Sequence, residues 1–301
     1  MRYFLLTIFF LNSSSVFARS TVTLQIKKPN HSILLRSNKN VLEFRPNASL
    51  HWGVKYSTDY FYFEYGGKIK DTNYGNSDVG NNSYKSFRIG LPIKNFFIGL
   101  YHQEWIGFSS DERDESSCEY CLKRERLTSR ESSINLTYAL NSDFDMRALN
   151  SDGSRGVKPS SSWLLLGFYD RFKVQDSGGL IQEDSQNKFT FFSTLQTIEA
   201  QQIGVGLGYA FLYPFSSFYL GLSGNLGVGY QDNRLDDQSN SREVKKTALS
   251  HWSLKVNIGT HGDGFNLGLK GYLFSNVYKV GDSQNVANLN YSIYSYLSYS
   301  F

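Results

Sequence analysis

The amino-acid sequence predicts an all-β fold, an antiparallel transmembrane β-barrel of about 12 strands. Three observations support this prediction: an apolar N-terminal segment, repeated alternation of apolar and polar residues, and a chain that stops on an aromatic strand. Of the 301 residues, 40% are hydrophobic, 16% are aromatic and 19% are charged. This composition suits a β protein with aromatic rings at its interfaces and is too polar for a bundle of membrane helices.

The first 18 residues form a predicted signal peptide. Arg2 supplies a positive charge, residues 4–11 are an apolar core, and Val16, Phe17 and Ala18 offer a cleavage site. The core is roughly half of the about 20 residues that a membrane helix needs, so an uncleaved anchor is the minor alternative. We therefore expect residues 19–301 to be exported and to form the barrel.

Period-two alternation is clearest at the C-terminus. Apolar residues of one parity there are Leu289, Tyr291, Ile293, Leu297, Tyr299 and Phe301. Small polar residues hold the other parity, interrupted only by Tyr294 and Tyr296. Because successive strand residues point to opposite faces, this strand has one apolar and one polar face. Its terminal Tyr299 and Phe301 resemble the signal that the bacterial barrel-assembly machinery recognises in outer-membrane proteins.

Similar runs recur upstream, with about the 9–11 residues that a tilted membrane strand needs. They cover residues 50–56, 203–211, 218–230, 252–258 and 265–273. Tight turns are predicted near residues 57–58, 94–95, 214 and 263–264. Long polar connections are predicted at residues 71–83, 109–130, 175–188, 231–246 and 280–286. Short periplasmic turns and long extracellular loops are typical of outer-membrane barrels, and residues 31–37 supply the last strand of the count.

Residues 141–160 do not fit this alternation, because they form a long polar connection on the predicted periplasmic side. A small helix around residues 145–149, a plug, or a miscounted strand pair would each explain them. A secreted soluble β-sandwich is the alternative fold. It accounts less well for the small polar face of the strands, since a soluble core needs bulky side chains inside.

Three motifs point to a family. Phe44-Arg45-Pro46-Asn47 precedes a Trp52–Tyr56 strand, Phe96–Gln103 leads to Ile106-Gly107-Phe108, and Gly206–Phe211 precedes Phe218–Gly229. These motifs resemble a family of predicted bacterial outer-membrane barrels known only as a domain of unknown function. The resemblance implies a barrel fold and an outer-membrane location, without an established activity.

Cys118 and Cys121 form a C-x-x-C pair within a charged loop. Zinc would need two further ligands nearby, and a thioredoxin-like site would need a βαβ unit. In an exported protein the pair predicts a small disulfide, with free thiols or a metal as alternatives. The sequence predicts no metal site and no cofactor.

His251 and Ser253 are the candidate for catalysis, because outer-membrane lipid hydrolases place a His and a Ser two residues apart on a strand. Here both residues have the polar parity, which directs them into the lumen and away from lipid. The sequence therefore predicts a protein that is not an enzyme, with a lipid hydrolase as an alternative.

Eight residues with the inward-facing parity of their strands are candidates to face the lumen. They are His51, Lys55, Arg88, Tyr101, Gln103, Trp105, Lys255 and Lys270. The set would suit a lumen selective for anions or sugars, but a lumen filled by side chains, with carboxylates from elsewhere pairing the cations, is favoured.

The leading function is a structural or interaction barrel that displays extracellular loops, and a narrow channel for small anionic or neutral solutes is the alternative. Expected partners are outer-membrane lipid and the assembly machinery. A net charge of +4 without a basic stripe indicates no nucleic-acid partner.

Overall fold

A computed structural model of the protein describes a chain made almost entirely of strands. The described residues are 20–46, 50–69, 83–112, 122–150, 152, 157–237, 240–262 and 264–301. The predicted signal peptide and the predicted Cys118–Cys121 disulfide lie outside them.

The strands follow one another along the chain with few other elements between them. In order they are β1 (Thr21–Ser37), β2 (Asn40–Pro46), β3 (His51–Ser57), β4 (Tyr62–Lys68), β5 (Ser83–Ile93), β6 (Phe96–Glu112), β7 (Leu122–Ala139), β8 (Ser160–Gln175), β9 (Leu195–Phe215), β10 (Phe218–Asp237), β11 (Ser241–Thr260), β12 (Gly264–Lys279) and β13 (Gln284–Ser300). A short helix α1 (Met146–Asn150) and a 3-10 helix (Glu183–Ser185) lie in two of the connections. No helix among the described residues is long and apolar enough to cross a membrane.

The sheet closes into a ring, because β13 pairs antiparallel with both β12 and β1. Strands β2 and β3 are two parts of one interrupted strand, since β1 pairs with β3 through residues 21–27 and with β2 through residues 33–37. Strands β4 and β5 lie between β3 and β6 in the sheet. Past the end of this β4–β5 pair, β2 pairs directly with β6. Counted around the ring at the end that holds the chain termini, the barrel therefore has twelve described strands, all except β2. The predicted barrel and its strand count are confirmed.

Several strands extend farther than the sequence predicts. Strand β1 begins at Thr21, ten residues before the predicted strand at residue 31. Residues 231–237 continue β10 and residues 241–246 belong to β11, in a region that the sequence predicts as a loop. In this part of β10, buried Gln231, Asn233 and Leu235 alternate with less buried neighbours. A pattern of apolar residues cannot reveal such a strand, because most of its buried side chains are polar.

The outer wall of the ring is apolar. Leu24, Ile26, Leu207, Leu226 and Ile293 are each 57–60% exposed on the outer face. Aromatic side chains concentrate near the end with the termini, and exposed examples are Trp163, Phe218, Phe265, Tyr299 and Phe301. Buried inward positions of β1 are instead Thr21, Thr23, Gln25 and Lys27. This pattern is the reverse of a soluble β-sandwich, in which the apolar face is inside.

Glycine residues allow β9 and β10 to approach closely. Gly206 is the cross-strand neighbour of Gly227. A Cβ atom added at Gly206 would lie 2.5 Å from the carbonyl oxygen of Leu226, on the backbone of the adjacent strand. Because a backbone atom cannot move aside as a flexible side chain can, this position requires glycine.

We expect Gly206→Ala to destabilise the barrel by roughly 1–3 kcal/mol, the usual cost of overpacking. The matched control is Gly167→Ala, because a Cβ at Gly167 has no neighbour within 4 Å. The measurement is the urea midpoint of the detergent-refolded protein, with heat-modifiable migration on a gel as the readout of folding. Equal midpoints for the two variants would contradict the requirement for glycine.

Candidate functional site in the barrel lumen

The connection between β7 and β8 forms a plug in the lumen at the end that holds the chain termini. Its described residues are 141–150, Asp152 and 157–159. Helix α1 begins after Asp145, whose Oδ1 accepts hydrogen bonds from the backbone N–H groups of Arg147 and Ala148 at 2.8 and 3.2 Å. Such capping satisfies backbone donors at a helix start. One apolar cluster joins the plug to the inner wall of the barrel, and its members include Phe144, Met146, Leu149, Leu164, Leu212 and Tyr219. Of the three explanations that the sequence left open for residues 141–160, the structure has both the helix and the plug.

The Asp152 carboxylate attaches the plug to the wall by charge. Its Oδ2 lies 3.1 Å from Lys55 Nζ and accepts a hydrogen bond from Gln25 Nε2 at 3.2 Å, while Oδ1 pairs with Lys270 Nζ. Asp152 belongs to a connection and not to a strand. Burial alone would raise the pKa of this carboxyl, but the charges and hydrogen bonds of Lys270 and Lys55 hold that pKa below its usual range.

A cavity of about 150 Å³, lined by both polar and apolar side chains, lies next to the plug in the middle of the lumen. Arg88, Tyr101, Lys255 and Tyr272 are among the residues that line it. The guanidinium carbon of Arg88 lies 4.6 Å from the ring centroid of Tyr101 and 5.6 Å from that of Tyr272. Cations at such distances are attracted to the negative face of an aromatic ring.

A network of amides and carboxylates closes the cavity on the side away from the plug. Glu131 accepts hydrogen bonds from Gln103 at 2.6 Å and from Asn276 and Asn290 at 3.3 Å. Asp170, which also lines the cavity, accepts a hydrogen bond from Gln202 at 2.8 Å. Among the residues that the structure describes, neither carboxylate forms an ion pair with a lysine or an arginine.

Beyond the amide network, the far end of the barrel is filled by an apolar core. Residues 176–194 fold into this end. The cluster includes Leu35, Phe44, Trp105, Phe108, Phe172, Leu180, Ile181, Phe189, Phe192 and Tyr278. The Arg124 guanidinium holds the connection in place, because it pairs with the Asp176 carboxylate at 2.6 Å.

The lumen candidates from the sequence all lie inside the ring, in different layers. Lys55, Arg88, Tyr101, Lys255 and Lys270 line the central cavity. His51, Gln103 and Trp105 lie outside this cavity lining: the His51 ring stacks on that of Tyr84 at 4.2 Å, and Gln103 and Trp105 line a smaller cavity. Tyr299 and Phe301 lie on the outer wall near the end of β13.

Sequence reasoning missed Tyr62, Glu64, Glu131, Asp152, Asp170 and Tyr294. Tyr294 gave a signal, since it interrupts the apolar–polar alternation and lines the cavity. Asp152 gave none, because its position depends on how the connection folds back into the ring.

His251 and Ser253 both point inward, as their parity predicts, but they have separate partners. His251 Nδ1 lies 2.8 Å from Asn276 Oδ1, and Ser253 Oγ accepts a hydrogen bond from Asn225 Nδ2 at 3.0 Å. Within the described part of the chain no hydrogen bond joins the two side chains. Nucleophilic catalysis needs a base in contact with the hydroxyl, and this geometry does not supply it.

A closed antiparallel ring with an apolar outer wall and a filled polar lumen defines a β-barrel of the membrane-protein type. Residues 18–301 match the family described as a domain of unknown function (DUF4421), and the chain belongs to that family. No curated protein matches it.

Among solved structures, the outer-membrane protease OmpT of Escherichia coli has 10% identity and a TM-score of 0.41, covering 96% of this chain and 99% of its own. The beta domain of the Bordetella autotransporter BrkA has 10% identity and a TM-score of 0.37, with coverages of 94% and 100%. The transport unit of the Escherichia coli autotransporter AIDA-I has 11% identity and a TM-score of 0.39, with coverages of 97% and 92%.

We expect Asp152→Asn to destabilise the protein by roughly 3–5 kcal/mol, because it removes the buried carboxylate that pairs with Lys55 and Lys270. The control is Asp143→Asn, which removes an exposed carboxylate from the same connection. The measurement is the urea midpoint in detergent. An equal midpoint for the two variants would contradict the role of Asp152 as the anchor.

The stability contributed by Asp152 also has a defined pH dependence. Because the folded pKa lies below the unfolded value of about 4, the contribution is complete above pH 4 and is lost as the pH falls toward the folded pKa. We expect the difference in unfolding free energy between the unmodified protein and Asp152→Asn to be equal at pH 7 and pH 5, and to shrink below about pH 4. If the folded pKa were not lowered, the difference would stay constant as the pH falls below about 4.

Proposed function

We propose that the protein spans the bacterial outer membrane as a closed barrel, and that it works through the surface it presents beyond the membrane. The apolar outer wall supports the membrane location, since lipid must face apolar side chains. The closed ring supports it as well, because strands without a free edge satisfy every backbone group in lipid. Export by the predicted signal peptide, and recognition of Tyr299 and Phe301 by the assembly machinery, belong to the same proposal.

Charged pairs on the outer wall support a limit to the membrane span. Arg171 Nη2 lies 2.6 Å from Glu199 Oε1, and Arg130 Nε lies 2.6 Å from Glu104 Oε1. These four residues are outward-facing, and Arg171 lies only two positions beyond the exposed Tyr169. Because charged side chains are costly in hydrocarbon, the parts of β6–β9 from these pairs onward would project into the medium.

The projecting part would carry the displayed surface. It includes the β10–β11 hairpin, which contains charged residues such as Asp232, Glu243 and Lys245. The predicted Cys118–Cys121 disulfide would brace the connection between β6 and β7. A surface of this kind suits a structural or interaction role.

The observation that carries the proposal is the apolar core at the far end of the barrel. Within the described ranges, its buried apolar side chains come from the walls as well as from residues 176–194 and meet across the lumen. An open channel needs a continuous hydrated path. The plug and the amide network are two further obstructions along the lumen.

We therefore expect no steady conductance when the purified protein is added to planar bilayers, even at high dose. Deleting the segment 142–157, which contains the plug helix and Asp152, should not open the barrel, because the apolar core remains in place. Discrete ohmic steps from the unmodified protein would contradict the proposal and favour the second candidate, a narrow channel for small solutes. The cations that line the central cavity favour anions as the solutes of such a channel.

A further inference from the structure

We propose that the central cavity is a binding site for a small oxyanion, held between Arg88 and Lys255 over the ring of Tyr272. The chemical class is a phosphate, sulfate or small carboxylate. This site goes beyond the proposed display role and does not depend on whether the barrel conducts.

Charge pairing inside the barrel distinguishes Arg88 and Lys255 from the other lumen cations. Lys27 pairs with Glu64, and Lys55 and Lys270 both pair with Asp152. Arg88 and Lys255 differ, because no carboxylate of the described residues lies within salt-bridge distance of either. Glu64 is the cross-strand neighbour of Arg88 but bonds to Lys27. Glu64 acts on Arg88 by charge without a direct ion pair, and no carboxylate of the described residues pairs with Lys255. Two enclosed cations with so little counter-charge are unfavourable, and an anion between them would relieve that cost.

The two cations lie where a single small ligand could contact both. The guanidinium carbon of Arg88 and the Nζ atom of Lys255 both lie 5.6 Å from the ring centroid of Tyr272. Both side chains line the same cavity of about 150 Å³. At about 30 Å³ per water molecule, this volume has room for a phosphate-sized anion together with water.

Both cations retain hydrogen-bond donors that a ligand could use. Lys255 Nζ donates one hydrogen bond, to Asn150 Oδ1 at 3.1 Å, and an ammonium group has three donors. A guanidinium has five donors in a planar fork that matches an oxyanion. The two carboxylates across the cavity, Glu131 and Asp170, accept hydrogen bonds from amides and pair with neither Arg88 nor Lys255.

The position of Asn150 connects this site to the plug. Its side-chain oxygen accepts from Lys255 and its backbone carbonyl accepts from Lys55 at 3.0 Å. Helix residues Met146 and Leu149 line the same cavity. An anion bound beside Lys255 would therefore contact the layer that the plug occupies, and it would stabilise the plugged barrel.

The test measures binding of inorganic phosphate to the purified full-length chain in detergent at constant ionic strength. Equilibrium dialysis gives the affinity, and the thermal unfolding midpoint gives the linked stabilisation. We expect saturable binding that sulfate competes for, with a rise in the midpoint of the unmodified protein. Arg88→Gln and Lys255→Gln should each weaken binding at least tenfold.

Lys85→Gln is the matched control, because Lys85 is an exposed cation on the same strand as Arg88. It should bind phosphate as the unmodified protein does. Heat-modifiable migration identifies variants that fold, and Lys255→Gln provides the test if Arg88→Gln does not fold. The proposal is overturned if the unmodified protein shows no saturable binding, or if the lumen variants and Lys85→Gln bind equally.

Discussion

Closure of the hydrogen-bonded ring between β13 and β1 is the constraint on which the rest of the structure depends. In lipid, a strand with a free edge would leave backbone groups without partners, so the last strand must find the first. Once the ring is closed, the period-two geometry of each strand assigns every side chain to the lumen or to the outer wall. Lys55, Arg88 and Lys255 point into the lumen because each directly follows a residue that faces outward, namely Val54, Phe87 and Leu254.

A polar lumen creates a problem of charge that the connections between strands must solve. Carboxylates of the strands account for part of the compensation, as Glu64 does for Lys27. The counter-charge for Lys55 and Lys270 comes from Asp152, which lies between α1 and β8. The plug is therefore an electrostatic component of the barrel as well as an obstruction, and the two roles depend on the same residues.

The alternation of apolar and polar residues predicted the strands and their two faces. Features that depend on tertiary contacts could not be predicted in this way. Strand β13 could be recognised from its apolar parity, and its two exceptions, Tyr294 and Tyr296, are lumen residues. The division of one strand into β2 and β3 left no such pattern, because it depends on where the β4–β5 hairpin inserts. The predicted lumen cations could be named from parity, whereas their partner Asp152 could not, since residues 141–160 have no strand periodicity.

The two ends of the barrel differ in what opening would require. At the plug, Asp152 and a small cluster around Leu149 would have to separate from the wall, and both sit beside the central cavity, which could accept water. At the far end, side chains from many strands, among them Phe172 and Tyr278, would have to leave a dry core together. That core resembles the interior of a soluble domain, so its opening would amount to unfolding. A small ligand could therefore reach the cavity through the plug but could not continue across the barrel, which favours binding over transport.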